Sequence, residues 1–208
     1  MSMKKNIRDD TGKRHRYKYE NSNFIHQLIL GRFLDAVSSE IRAISSCRTL
    51  DFGCGEGLFL KELHKRGIRF KRLTGIDLRE EALQEARLLL PEYHFIQTDL
   101  LTYKPEDGPF DLVIVSQVLE HLPEPGRFLK KLVQIGSGPF IITVPYEPWF
   151  RIVNLLRGRD ILRLGNHPEH INFWGVNRLR EFVEQYATIT KIYTVFPFII
   201  VLAEKPIE

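Results

Sequence analysis

The chain has 208 residues, 43% of them hydrophobic, and 30 Lys+Arg against 26 Asp+Glu give a formal net charge of +4. That length supports one sizeable core and a single domain over 1–208. Two cysteines, Cys47 and Cys54, exclude a disulfide framework or a cysteine-rich metal cluster, and the longest apolar run, Phe196 to Ala203, is too short and too interrupted by Pro197 to span a membrane.

The N-terminus is charged with no apolar core behind it, so it does not read as a signal peptide, and a cytoplasmic location is expected. Residues 1–20 hold seven basic side chains against three acids, which is the whole charge excess of the chain. Residues 1–16 read as a flexible basic arm; such runs are solvated tails more often than nucleic-acid or membrane contacts. Tyr17, Tyr19 and Asn21 border the first helix and are candidates for closing over a ligand. From about Asn21 to Ile44, within an N-terminal helical region 20–45, apolar residues recur at helical spacing, predicting one or two amphipathic helices.

A buried strand ending at Asp51-Phe52 leads into a glycine-rich turn and a helix reaching about Arg66, closed by Gly67. A strand from Phe70 to Ile76, ended by Asp77, precedes a helix over Glu80–Leu90 that Pro91 stops. A short strand, Tyr93 to Gln97, ends in Thr98-Asp99-Leu100. Leu101 to Pro109 is too broken for a helix and is expected to cross as a loop. Phe110–Val115 is nearly all apolar, as a strand buried on both faces should be. A helix over Pro125–Ile135 and a strand over Pro139–Val144 complete a pattern that argues a parallel sheet with right-handed crossovers. After an insert at 146–174 come a helix (Val176–Tyr186) and two strands (Thr188–Phe196, Phe198–Glu204). Their link at Pro197 is so tight that they must be antiparallel.

The chemistry concentrates at Asp51-Phe52-Gly53-Cys54-Gly55-Glu56-Gly57. Alternating glycines admit positive φ and close approach, and a helix starting at Gly57 aims its free N–H groups at the turn. The spacing is G-x-G-x-G, not the G-x-G-x-x-G of dinucleotide sites. Asp51 would repel a pyrophosphate but suits a ligand with an ammonium and a sulfonium, such as S-adenosylmethionine (SAM). This stretch resembles the first motif of class I SAM-dependent methyltransferases. The run "FDLVIVSQVLEHLPEP" resembles the fourth motif of the ubiquinone-biosynthesis-like small-molecule group, so that the likeness extends from about Leu50 to Val144.

The resemblance implies an α/β, Rossmann-like, doubly wound and mostly parallel sheet of about seven strands ending in an antiparallel hairpin. It also implies SAM as cofactor, S-adenosylhomocysteine as product, and a small-molecule acceptor methylated on oxygen, nitrogen or carbon. The expected cofactor-binding residues are Asp51, Gly53, Cys54, Gly55, Gly57, Asp77, Leu78, Asp99, Leu100, Ser116 and Gln117. Asp77, at the second strand's end, is placed to accept from the ribose hydroxyls, with helix capping as the plainer role. The family likeness puts Asp99 and the Leu100 N–H at the adenine; an ordinary turn aspartate is the alternative.

His121 and His170 are the candidate catalytic residues, although His121 has an equally good reading as a hydrogen-bond partner for its own loop. Tyr146, Trp149, Arg151, His167, His170 and Trp174 are expected to wall the acceptor pocket, against the alternative of a structural cap with both tryptophans as its core. Arg151, Arg157, Arg159 and Arg163 favour a small acidic or phosphorylated acceptor. His167 and His170 sit at i,i+3, but Pro168 intervenes and no cysteine or third histidine lies near in sequence, so no metal is expected. An RNA or protein methyltransferase is disfavoured: no Asn/Asp-Pro-Pro-aromatic signature follows the fourth strand. Further rivals are a non-catalytic SAM-binding protein and a nicotinamide dehydrogenase, the latter disfavoured by Asp51 and the glycine spacing.

Overall fold

The computed structural model describes residues 24–156 and 170–206. One amphipathic helix, α1 (Phe24–Ala43), precedes an alternation of β1 (Arg48–Phe52), α2 (Leu58–Lys65), β2 (Arg72–Asp77), α3 (Glu80–Leu89), β3 (His94–Gln97) and β4 (Leu112–Ser116). A 3₁₀ turn at Leu119–His121 leads to α4 (Pro125–Ile135), β5 (Phe140–Pro145) and α5 (Trp149–Leu156), and later α6 (Val176–Val183), β6 (Thr188–Val195) and β7 (Phe198–Glu204) close the fold. The seven strands lie in the order β3-β2-β1-β4-β5-β7-β6. The first five pair in parallel, whereas β7 runs antiparallel between β5 and β6.

Alternation along the central strands sorts the core into two layers. Leu50, Val113, Val115, Ile142 and Val201 pack under α4 and α6 on one face. Leu112, Ile114, Ile141 and Ile200 pack under α1, α2 and α3 on the other. That two-sided burial is why β4 reads as a continuous apolar run. Strand order reverses between β1 and β4, which places the switch point, and with it the crevice of such sheets, at the carboxyl ends of those two strands.

The expected architecture, the looped crossover before β4 and the antiparallel end all stand. The differences are local. β2 begins at Arg72, not Phe70, because pairing with β1 starts at the Arg48–Arg72 register; Phe70 instead turns its ring into the core and donates its N–H to the Tyr93 hydroxyl (3.2 Å). The insert opens with the helix α5, and "SQVLEH" contains the 3₁₀ turn; three residues carry too little periodicity to announce themselves. Among the described residues no helix is long and apolar enough to cross a membrane.

Candidate functional site

At the end of β1 the chain rises into the left-handed region at Gly53 (φ 69°), and a Cβ there would lie 2.6 Å from Val118 Cγ2 in the loop after β4. The bare glycine therefore lets the two loops at the switch point touch. Gly53 and Cys54 donate their N–H groups to the Ile76 carbonyl (2.8 and 3.2 Å), which ties the turn to β2. Gly57 begins α2.

Two carboxylates stand behind this turn. Asp77 Oδ2 accepts from the Gly55 N–H (3.0 Å), and its Oδ1 accepts from the Arg79 N–H (2.9 Å) and Nε (3.3 Å). Oδ2, with one bond accepted, keeps a further lone pair for a ligand hydroxyl. Asp77 is not the cap of α3: that position is Arg79, whose guanidinium also reaches Glu56 (3.3 Å). Asp51 is 2% exposed, and its Oδ2 has no hydrogen-bond partner among the described residues. Burial, and then the charge of Asp77, push its carboxyl up to about 8. The Cys54 thiol is pushed far up by the same burial and by both aspartates, so it packs rather than reacts.

The remaining strand ends differ in character. Leu78 presents an exposed side chain (65%) beside Asp77, and the Gln97 amide fastens its carbonyl (3.0 Å). Asp99 is exposed and engaged as a turn residue, its Oδ1 accepting from the Leu101 N–H (2.9 Å), while Leu100 is buried. Ser116 and Gln117 both reach Thr143 Oγ1 on β5 (3.1 and 3.3 Å). Gln117 has φ 60°, alone among the described non-glycine residues in having positive φ, and that strain sits at the mouth of the switch point.

Beyond β4, His121 and His170 converge with ring centroids 5.0 Å apart, edge to face. The segment after His170 is clamped to the 3₁₀ turn: Ile171 and Asn172 donate N–H groups to the Glu120 carbonyl (2.9 and 3.0 Å), and Asn172 Nδ2 donates to the Leu119 and Leu122 carbonyls (3.1 and 2.6 Å). Tyr146 is half-buried, and Trp149 is exposed and meets Phe196 at 6.1 Å. Trp174 is 3% exposed, its ring tilted against Phe182 at 5.0 Å in the core with α6. Arg151 lies on α5. His167, Arg157, Arg159 and Arg163, like the basic arm with Tyr17, Tyr19 and Asn21, fall outside the described residues.

Four residues at or near the site carry no assignment from sequence alone. Glu56 and Arg79 bridge the glycine turn to the β2 loop, a link no local pattern announces. Glu120 is visible inside "LEHL", but its neighbours in sequence suggest no role for it. Glu147, two residues past β5, could have been found by the strand-end rule that selects Asp51 and Asp77. Burial lifts its carboxyl above the usual range, offset in part by the Arg151 backbone and guanidinium.

The residues present fit SAM. A buried, unpartnered carboxylate oxygen suits an ammonium, a glycine turn at a helix start suits a carboxylate, and Asp77 suits a diol. The family profile described as "Methyltransferase domain" matches residues 50–137. A ubiquinone biosynthesis O-methyltransferase of Nitrosomonas europaea is 29% identical over 206 residues, covering 86% of this chain and 85% of that protein. Its counterpart from Acinetobacter baylyi is 27% identical over 150 residues, 66% of this chain and 61% of that one. Among solved structures, magnesium protoporphyrin IX methyltransferase from Synechocystis PCC 6803, with bound SAH, shares the fold at a TM-score of 0.69 and 18% identity, covering 95% of this chain and 94% of that one.

Proposed function

We propose, for this chain that belongs to the class I SAM-dependent methyltransferases, an activity that methylates a hydroxyl group of a small molecule. When bound, SAM supplies a methyl group activated by the sulfonium, and its transfer is an in-line displacement. Asp51 holds the ammonium, the Gly53–Gly57 turn and the start of α2 hold the carboxylate, and Asp77, kept in place by Gly55 and Arg79, holds the ribose. Leu78, Asp99 and the Leu100 N–H line the adenine side, and Ser116 and Gln117 border the methyl. Fixing both reactants in this way is worth about 7–11 kcal/mol of barrier.

The observation that carries the choice of a hydroxyl acceptor is the convergence of His121 and His170 just past β4, on the side of the sheet where the glycine turn opens. A hydroxyl must shed its proton to become nucleophilic, and polar groups at that spot serve this need. The names of the curated relatives, which are O-methyltransferases, support the same reading. Tyr146, Trp149 and Arg151 shape the acceptor side, with Arg151 the one described arginine behind the expectation of an acidic acceptor. The unpaired cysteines support work in a reducing cytoplasm.

The test is incubation of the purified chain with methyl-labelled SAM and fractionated metabolites, RNA and protein. Label entering a small molecule as a methyl ether is expected. Label confined to RNA or protein, or carried on nitrogen or carbon, overturns the assignment.

A further inference from the structure

We propose that Glu147 is a specificity-determining residue that anchors the methyl acceptor through a hydrogen-bond donor other than the hydroxyl that is methylated. Both of its carboxylate oxygens are buried, and neither has a hydrogen-bond partner among the described residues. No other described carboxylate is left in that state on both oxygens. Such a group is costly to the free protein and is kept where a ligand supplies the missing bonds. The unpartnered oxygen of Asp51 has its answer in the ammonium of SAM; that of Glu147 lies on the acceptor side.

The backbone fixes that place. Ser116, at the end of β4, is in register with Thr143 of β5, and Glu147 follows four residues on, at the carboxyl edge of the sheet. The Tyr146 N–H donates to the Pro197 carbonyl and the Glu147 N–H to the Trp174 carbonyl (2.9 Å each). The segment that ends at Trp174 begins at His170 and is bonded to the 3₁₀ turn through Ile171 and Asn172. From His170 to Trp174 is at most about 14 Å of extended chain, so one small molecule with its reacting hydroxyl at the histidines reaches Glu147 with another group. The backbone and guanidinium of Arg151, one turn along α5, draw on the carboxylate's charge. What it lacks is therefore hydrogen bonds, and an ionised carboxylate can only accept them. The acceptor must bring a second donor, a hydroxyl or an amine.

This inference rests on the methyltransferase reading. Its test uses Glu147→Met, which keeps the length of the side chain and removes both oxygens. The free variant should melt about 2–12 °C above wild type at pH 8, with SAM affinity unchanged by calorimetry. With methyl-labelled SAM and the small-molecule fraction of a cell extract as the probe, the labelled product should carry a further hydroxyl or amine, which acetylation and mass spectrometry tell apart. For that acceptor, once purified, Glu147→Met should raise KM about tenfold or more while kcat stays within about twofold, and Glu147→Gln, which keeps one accepting oxygen, should fall between. A variant that melts below wild type makes Glu147 a structural cap of α5. That result overturns the anchor and leaves the methyltransferase reading standing, as do an unchanged KM, a loss confined to kcat, or a product with no second donor. SAM that binds while no small molecule gains label strikes both.

Discussion

The substitution Asp51→Asn probes the site at its most strained point. The side chain keeps its shape but loses the charge that burial and Asp77 make costly. In the folded protein the carboxyl titrates at about 8, against an ordinary value of 3.8. The folded state therefore holds a proton that the unfolded state releases, and stability declines as pH rises from about 4 to about 8. At pH 7, which lies well above the unfolded value and below the folded one, the penalty is roughly 4 kcal/mol at about 1.36 kcal/mol per pH unit. The variant avoids it, but its own buried amide costs about 1–3 kcal/mol. It should thus melt a few degrees above wild type at pH 8, at roughly 2–4 °C per kcal/mol for a chain of this size, and near wild type at pH 5. SAM affinity should move the other way. Losing one charged hydrogen bond of about 1.5–3 kcal/mol weakens binding roughly 10- to 150-fold. Wild-type protein should also release a proton on binding SAM at pH 7, seen as a binding enthalpy that changes with the buffer. Scanning calorimetry from pH 5 to 8.5 and titration calorimetry in two buffers read these effects. An Asp51→Asn protein that binds SAM as wild type does and gains no thermal stability at pH 8 refutes the assignment.

Asp77→Ala removes the acceptor for the Gly55 and Arg79 donors, so SAM affinity should fall by about tenfold or more; unchanged calorimetric affinity in a folded variant sinks the ribose role. Gly53→Ala must hold a side chain at φ 69° with its Cβ 2.6 Å from Val118, costing about 2–4 kcal/mol and lowering Tm by roughly 4–16 °C. A Gly53→Ala, Val118→Ala double variant should recover part of that loss, and no recovery would mean that strain alone is responsible. Deleting residues 1–12 should leave SAM affinity intact while deleting 1–22 reduces it. Equal binding by both truncations removes Tyr17, Tyr19 and Asn21 from any closing role.

Much of this protein is written locally. The two-faced apolar run at Leu112–Val115, the glycine alternation at Gly53–Gly57 and the break at Pro197 each fix a local conformation through period, φ or a missing donor, and together they dictate a parallel sheet with an antiparallel end. The carboxylates Asp51 and Asp77 were legible as well, because a strand's carboxyl end is a position in sequence as much as in space. Tertiary structure alone decided the rest. Whether Trp174 lines a pocket or fills the core depends on α6 and Phe182 arriving beside it. The partnership of Glu56 with Arg79 depends on β2 lying next to β1. Glu120 and His121 meet His170 only because backbone hydrogen bonds draw the segment from 170 to 172 onto the 3₁₀ turn. Periodicity and spacing report what a residue does to its own backbone; distances between segments are set by the packing of the whole sheet.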